Sequence, residues 1–127
     1  VWLMGHSNGG LSLTEFLQYA RKKKRVELIA GMVASAVRNE SYFDEPVAFP
    51  MLFMHHQSDG CSATTLSASF RNYENVKTFS TAPVKFVIIQ GGSAEPRHPC
   101  HSGFHLYFGA GEEVANHLDE FMSSIYK

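Results

Sequence analysis

The chain has 127 residues, a net charge of −1 at neutral pH, 44% hydrophobic residues and only 18% charged residues. So small a net charge leaves no electrostatic footprint for nucleic acid or an anionic membrane surface. The apolar content is too high and too patterned for disorder, no segment reads as a signal peptide or a membrane span, and the length allows one domain at most.

Residues 1–4, Val1-Trp2-Leu3-Met4, read as an apolar strand, followed at once by Gly5-His6-Ser7-Asn8-Gly9. A helical pattern then places Leu13, Phe16, Leu17 and Ala20 on one face. Strand, sharp turn and helix, in that order, make this G-x-S-x-G a candidate nucleophile elbow. The flanking glycines suit a tight turn and a close backbone approach. Ser7 would expose its hydroxyl at the apex, and the amide of Asn8 would point at a developing oxyanion. A glycine-rich turn of this shape also suits a phosphate, so the rest of the chain must supply an acid and a base. The helix ends in Arg21-Lys22-Lys23-Lys24-Arg25, cations placed where they complement the helix dipole rather than a nucleic-acid patch.

Residues 26–33, rich in Ile, Val and Ala, read as the second strand, and residues 36–50, with two prolines and little periodicity, as a loop. Within that loop Asn39-Glu40-Ser41 matches a glycosylation acceptor. Pro50 introduces the third strand, Met51-Leu52-Phe53-Met54-His55-His56. Leu66, Phe70 and Tyr73 then form a helical stripe with Ser and Thr near its start as caps. Residues 84–89 make a fourth strand. The final helix, residues 111–126, turns Val114, Leu118, Phe121, Met122 and Ile125 inward, with Glu112 and Glu113 favouring its N-terminal end. The order β-α-β-loop-β-α-β-α indicates an α/β fold with a mostly parallel sheet flanked by helices.

In open parallel sheets, functional groups gather beyond the carboxyl ends of the strands. Three loops leave those ends with reactive side chains: the elbow with Ser7, the segment His55-His56-Gln57-Ser58-Asp59-Gly60-Cys61, and residues 91–109 with His98, His101 and His105. A serine hydroxyl needs an imidazole to take its proton, and the imidazole needs a carboxylate to hold its tautomer and stabilise its cation. Asp59 is the leading acid; Glu40 and Asp44 lie in a loop no strand immediately precedes. His55 and His56 point to opposite sides of their strand, so at most one faces the site, and both are read as structural or supporting residues. The seven histidines, two cysteines and Asp59 also admit a metal reading, but no H-E-x-x-H or C-x-x-C spacing occurs, and neither metal nor cofactor is expected.

The order Ser, Asp, His resembles that of the α/β-hydrolase superfamily. The closest likeness is to bacterial members with a His-His-x-x-Asp-x-Cys acid loop, on the strength of His55-His56-Gln57-Ser58-Asp59-Gly60-Cys61, Gly91-Gly92-Ser93, Pro99-Cys100 and His105-Leu106-Tyr107-Phe108-Gly109-Ala110-Gly111-Glu112. It spans nearly all of residues 1–127 and implies a partial domain, the C-terminal half of that fold from the nucleophile strand to the last helix. Leu106 stands where such members have glycine, and His105 is preferred as base over His101 and His98.

The resemblance implies a serine hydrolase cleaving carboxylic esters or related acyl compounds, with Ser7 as nucleophile, Asp59 as acid, His105 as base and Asn8 in the oxyanion hole. The second oxyanion donor would come from upstream, and the excised chain is expected to be poorly soluble and nearly inactive. Neighbouring acid and base loops would allow a Cys61–Cys100 disulfide, hence a periplasmic or secreted location; free thiols would fit the cytoplasm. The short span from Ser7 to Asp59 leaves no room for a helical lid. The expected partner is a small acyl or ester substrate, with no nucleic acid and no stable membrane insertion. The alternative is a non-catalytic binding or scaffold module that keeps the fold.

Overall fold

A computed structural model describes residues 1–94 and 97–126; residues 95–96 of the expected 91–109 loop lie outside the described residues. Strands β1 (Trp2–His6), β2 (Gly31–Ser35), β3 (Met51–His56) and β4 (Val84–Ile89) form one sheet, all parallel and paired in chain order. Helices α1 (Gly9–Lys22), α2 (Leu66–Lys77) and α3 (Gly111–Ile125) complete an α/β architecture. Among the described residues no helix is long and apolar enough to cross a membrane.

Sequential strand order explains which face each helix covers. Every crossover steps the same way across the sheet, so right-handed connections all fall on one side. Leu13, Leu17 and Ala20 of α1, Phe43, Val47 and Phe49 of the 36–50 loop, and Val76 of α2 share one core with Met32, Met51 and Phe53. Among the described residues α3, after the last strand, is the helix that covers the opposite face, where Phe121 packs with Val33, Leu52, Met54, Val87 and Ile89. β3 is buried along its whole length, which is why its first four residues read as an unbroken apolar run. Each large side chain fully buried there contributes roughly 2 kcal/mol. Trp2 extends the second core by packing edge-on to Phe121, and its Nε1 donates to the Tyr126 hydroxyl at 2.5 Å.

The third and fourth strands and the loop between residues 36 and 50 lie where the sequence places them. Other elements differ. β1 runs on through Gly5 and His6, so the turn begins at Ser7 itself. The expected strand over 26–33 opens instead with a 3₁₀ turn, Val26–Leu28, because pairing with β1 starts only at Trp2 opposite Gly31. Leu28 is left exposed. Phe16 and Phe70 are exposed at 44% and 46%, not inward. The buried side of α1 is Gly10, Leu13, Leu17 and Ala20. That of α2 is largely polar, with Ser69 and Asn72 beside Ala68 and Val76. Asn72 donates from Nδ2 to Ser41 O at 2.8 Å and accepts from Phe43 N at 3.3 Å, holding the 36–50 loop. Phe70 stacks edge-on against Phe86 of β4.

Candidate active site

At the end of β1 the chain turns within two residues into α1. Ser7 is a non-glycine residue in the left-handed region, φ 58°, a conformation that costs about 1–2 kcal/mol. It is held there by Ser7 N donating to Ser35 O at 2.9 Å and Gly10 N donating to Ser7 O at 3.0 Å. The tight path leaves no room at Gly5, where a Cβ would lie 2.3 Å from the Gly9 carbonyl oxygen. At Gly9 a Cβ meets nothing within 4 Å. The second glycine the packing requires is Gly10, against Val37 and Ser41, a correction to the expectation that both positions flanking the turn favour glycine. Gly5→Ala is therefore expected to destabilise the fold by about 2–3 kcal/mol. Gly9→Ala should be neutral or stabilising by up to about 1 kcal/mol. Equilibrium unfolding of the two variants checks this; equal losses would contradict it.

Asn8 sits at the start of α1, its Oδ1 accepting from Arg38 Nη1 at 3.1 Å. Its backbone amide has no hydrogen-bond partner among the described residues. With the positive end of the helix dipole behind it, that N–H is available to an anion beside Ser7.

Asp59 lies in the turn after β3, its side chain fully buried. Oδ1 accepts from Cys61 N at 2.9 Å. Oδ2 accepts from Thr64 Oγ1 at 3.0 Å, His55 Nε2 at 2.9 Å and His105 Nδ1 at 2.9 Å. Burial alone would raise this carboxyl above its ordinary value, but the donors on His105 and His55 and the Cys61 amide outweigh it and hold it below. It is the anion of the site.

His105 lies in a 3₁₀ turn, Gly103–Leu106, and is 1% exposed. The turn is closed by Tyr107 in the left-handed region, with Phe108 N donating to Gly103 O. Asp59 on Nδ1 fixes the proton there and leaves the Nε2 lone pair facing the Ser7 hydroxyl, 3.1 Å away. Ser7, His105 and Asp59 thus form one hydrogen-bonded chain from three strand ends.

The other candidates fall elsewhere. His98 and His101 are exposed, their rings 4.9 Å apart, and hydrogen-bond to neither Ser7 nor Asp59. They line a cavity of about 270 Å³ that also touches Ser7, Asn8, Arg38 and Thr64. Glu40 pairs with Arg38, and Asp44 is exposed beside α1. His56 stacks on Phe104 and donates from Nε2 to Gly91 O at 2.7 Å. Asn39 of the glycosylation-like triplet is engaged on both sides, donating to Ser62 O and accepting from Thr65 N and Oγ1. Arg21 of the basic run pairs with Glu45 at 2.6 Å. Cys61 and Cys100 form a disulfide that joins the acid loop to the histidine loop. No group of three or more His, Cys, Asp or Glu residues among those described converges as a metal set.

Residues that sequence reasoning missed complete the surroundings. Thr64 touches both Asp59 and His105. His6 bonds through Nδ1 to Ser35 Oγ, which in turn bonds the Tyr107 hydroxyl. Its ring lies 5.1 Å from that of His105, and burial, reinforced by His105, lowers its pKa to about 4, keeping it neutral. Burial likewise raises the Tyr107 phenol. Glu113 accepts from Gln90 N and Gly91 N at 2.9 and 2.7 Å, clamping the end of β4 to α3; these amide donors, Gln90 foremost, hold its carboxyl below the ordinary value. Nothing short-range in the sequence marks Ser35, whose partners His6 and Tyr107 are distant along the chain, and the contact of Thr64 with His105 is equally remote although Asp59 lies only five residues before it.

No family model, no curated protein and no solved structure matches this chain.

Proposed function

We propose that the protein is a serine hydrolase of α/β-hydrolase type, this chain supplying the half of that fold from the nucleophile strand onward, and that it cleaves carboxylic esters or related acyl compounds. The observation that carries the reading is Ser7 Oγ 3.1 Å from Nε2 of His105, whose Nδ1 lies 2.9 Å from Asp59 Oδ2. Ser7 Oγ attacks the acyl carbon while its proton passes to His105 Nε2, and Asp59 stabilises the resulting imidazolium. The Asn8 amide donates to the carbonyl oxygen as it becomes an oxyanion, a contact worth about 10²–10³ in rate. His105 then returns the proton to the leaving alcohol, and water, activated by the same imidazole, releases the acid from Ser7. The disulfide suits an oxidising compartment, and the proposed setting is periplasmic or secreted.

A fluorophosphonate probe tests the reading. The protein is expected to take up the probe covalently, and Ser7→Ala to take up none. A folded protein that ignores the probe with Ser7 intact is a binding or scaffold module instead.

A further inference from the structure

Asp59 Oδ2 is shared between two imidazoles. It lies 2.9 Å from His105 Nδ1 and 2.9 Å from His55 Nε2, with the Thr64 hydroxyl donating at 3.0 Å. His55 is fully buried on the face of β3 that meets α2. Its Nε2 also faces the Thr64 carbonyl at 2.9 Å, while its Nδ1 faces the Ser69 hydroxyl at 2.7 Å. Two acceptors at Nε2 and a hydroxyl at Nδ1 place the proton on Nε2 and let Ser69 donate to Nδ1. An unbroken chain therefore runs Ser69, His55, Asp59, His105, Ser7, with the carboxylate at its centre.

We propose that His55 is a positioning residue for the triad: its Nε2–H fixes the Asp59 oxygen that faces His105 and sets how much of the carboxylate charge His105 feels. The proposal rests on the serine-hydrolase reading above. A carboxylate oxygen that accepts several hydrogen bonds has its charge spread over several donors, so each donor is held less strongly than a sole partner would be. The other groups facing the pair are neutral or fixed. His6 of β1 stands beside His105 and is uncharged, Tyr107 reaches in from beyond the 3₁₀ turn as a phenol, and Cys61 contributes only its amide. Removing the His55 donor concentrates the Asp59 charge on His105 and favours its protonated form. The acid limb of kcat/KM then moves to higher pH.

The test is the pH profile of kcat/KM for p-nitrophenyl acetate in the protein and in His55→Phe, His55→Gln and Ser7→Ala. His55→Phe is expected to raise the acid limb by about one pH unit. His55→Gln, whose amide can donate to Asp59 and accept from Ser69, should leave it within a few tenths of a unit. An unmoved or lowered limb in His55→Phe, or equal shifts in the Phe and Gln variants, overturns the proposal. Should the Phe variant fail to fold, imidazole ¹⁵N signals of the unsubstituted protein decide. His55 is expected to carry its proton on Nε2, and that signal to shift as His105 titrates. A proton on Nδ1, or a signal that does not respond, overturns it. Ser7→Ala separates the two readings: if it retains the ester activity, the triad itself fails, whatever the limb does.

Discussion

Asp59→Asn is expected to lower kcat for ester hydrolysis about 10⁴-fold while the fold is retained. Asp59 Oδ2 faces donors from His105, His55 and Thr64, and Oδ1 faces the Cys61 amide. Either orientation of an asparagine amide sets an NH₂ against one of those donors. With the NH₂ toward His105, Nδ1 must give up its proton, Nε2 becomes the donor, and the ring can no longer accept from Ser7. With the NH₂ toward Cys61, the imidazole keeps its tautomer but loses the anion that stabilises its cation. Steady-state rates near neutral pH check this, and a loss of less than tenfold would contradict the role given to Asp59.

The same substitution changes the response to acid. Asp59 titrates below its ordinary value, so its ionised form stabilises the fold above about pH 4, and that contribution is lost as pH falls further. His6, lowered from 6.5 to about 4, acts over a higher window: the unfolded chain takes up a proton there that folded His6 does not, so stability falls as pH drops through that interval. Unfolding of the protein should therefore show acid destabilisation in two stages, and Asp59→Asn should diminish the lower one, to which Glu113 also contributes.

Replacing both Cys61 and Cys100 with alanine is expected to cost about 4 kcal/mol of stability. The bridge closes a separation of 39 residues between the acid loop and the histidine loop, and without it the unfolded chain regains that freedom. The effect reaches the site as well, because the Cys61 amide donates to Asp59 and the bridge walls the cavity at Ser7. Denaturant midpoints with and without reductant provide the check. Reductant should bring the native protein down toward the double variant and leave the variant unchanged; coincident midpoints for oxidised protein and double variant would contradict the expectation.

What could be read from the sequence was whatever is local. β3 and β4 have the bounds their sequence patterns suggest: β3 is buried on both faces and β4 is a β-branched run bounded by turn residues, and neither needs long-range information to announce itself. Ser7, Asp59 and His105 were legible as candidates because each follows the end of a strand, and parallel strands bring those ends to one rim. Where partners far along the chain decide, the pattern misleads. Val26–Leu28 has strand composition but no strand opposite it until Gly31. The buried face of α2 carries Ser69 and Asn72 because His55 and the 36–50 loop need hydrogen bonds there, so the stripe of Leu66, Phe70 and Tyr73 lies at the edge of that face: Tyr73 packs on Phe53 while Phe70 stays half-exposed against Phe86. Gly10 rather than Gly9 is the close-packed glycine because Val37, on another element, lies against it. The choice of His105 over His101 depends on a turn closed by Tyr107 with positive φ, which spacing alone does not reveal.

The most direct measurement is the identity of the residue that carries the phosphonyl group after the protein reacts with a fluorophosphonate, read by peptide mass spectrometry. The expected result is a single modified side chain, Ser7, with modification suppressed in His105→Ala although Ser7 is present. Modification at a different serine, or undiminished labelling of Ser7 once His105 is gone, would contradict a nucleophile activated through that imidazole.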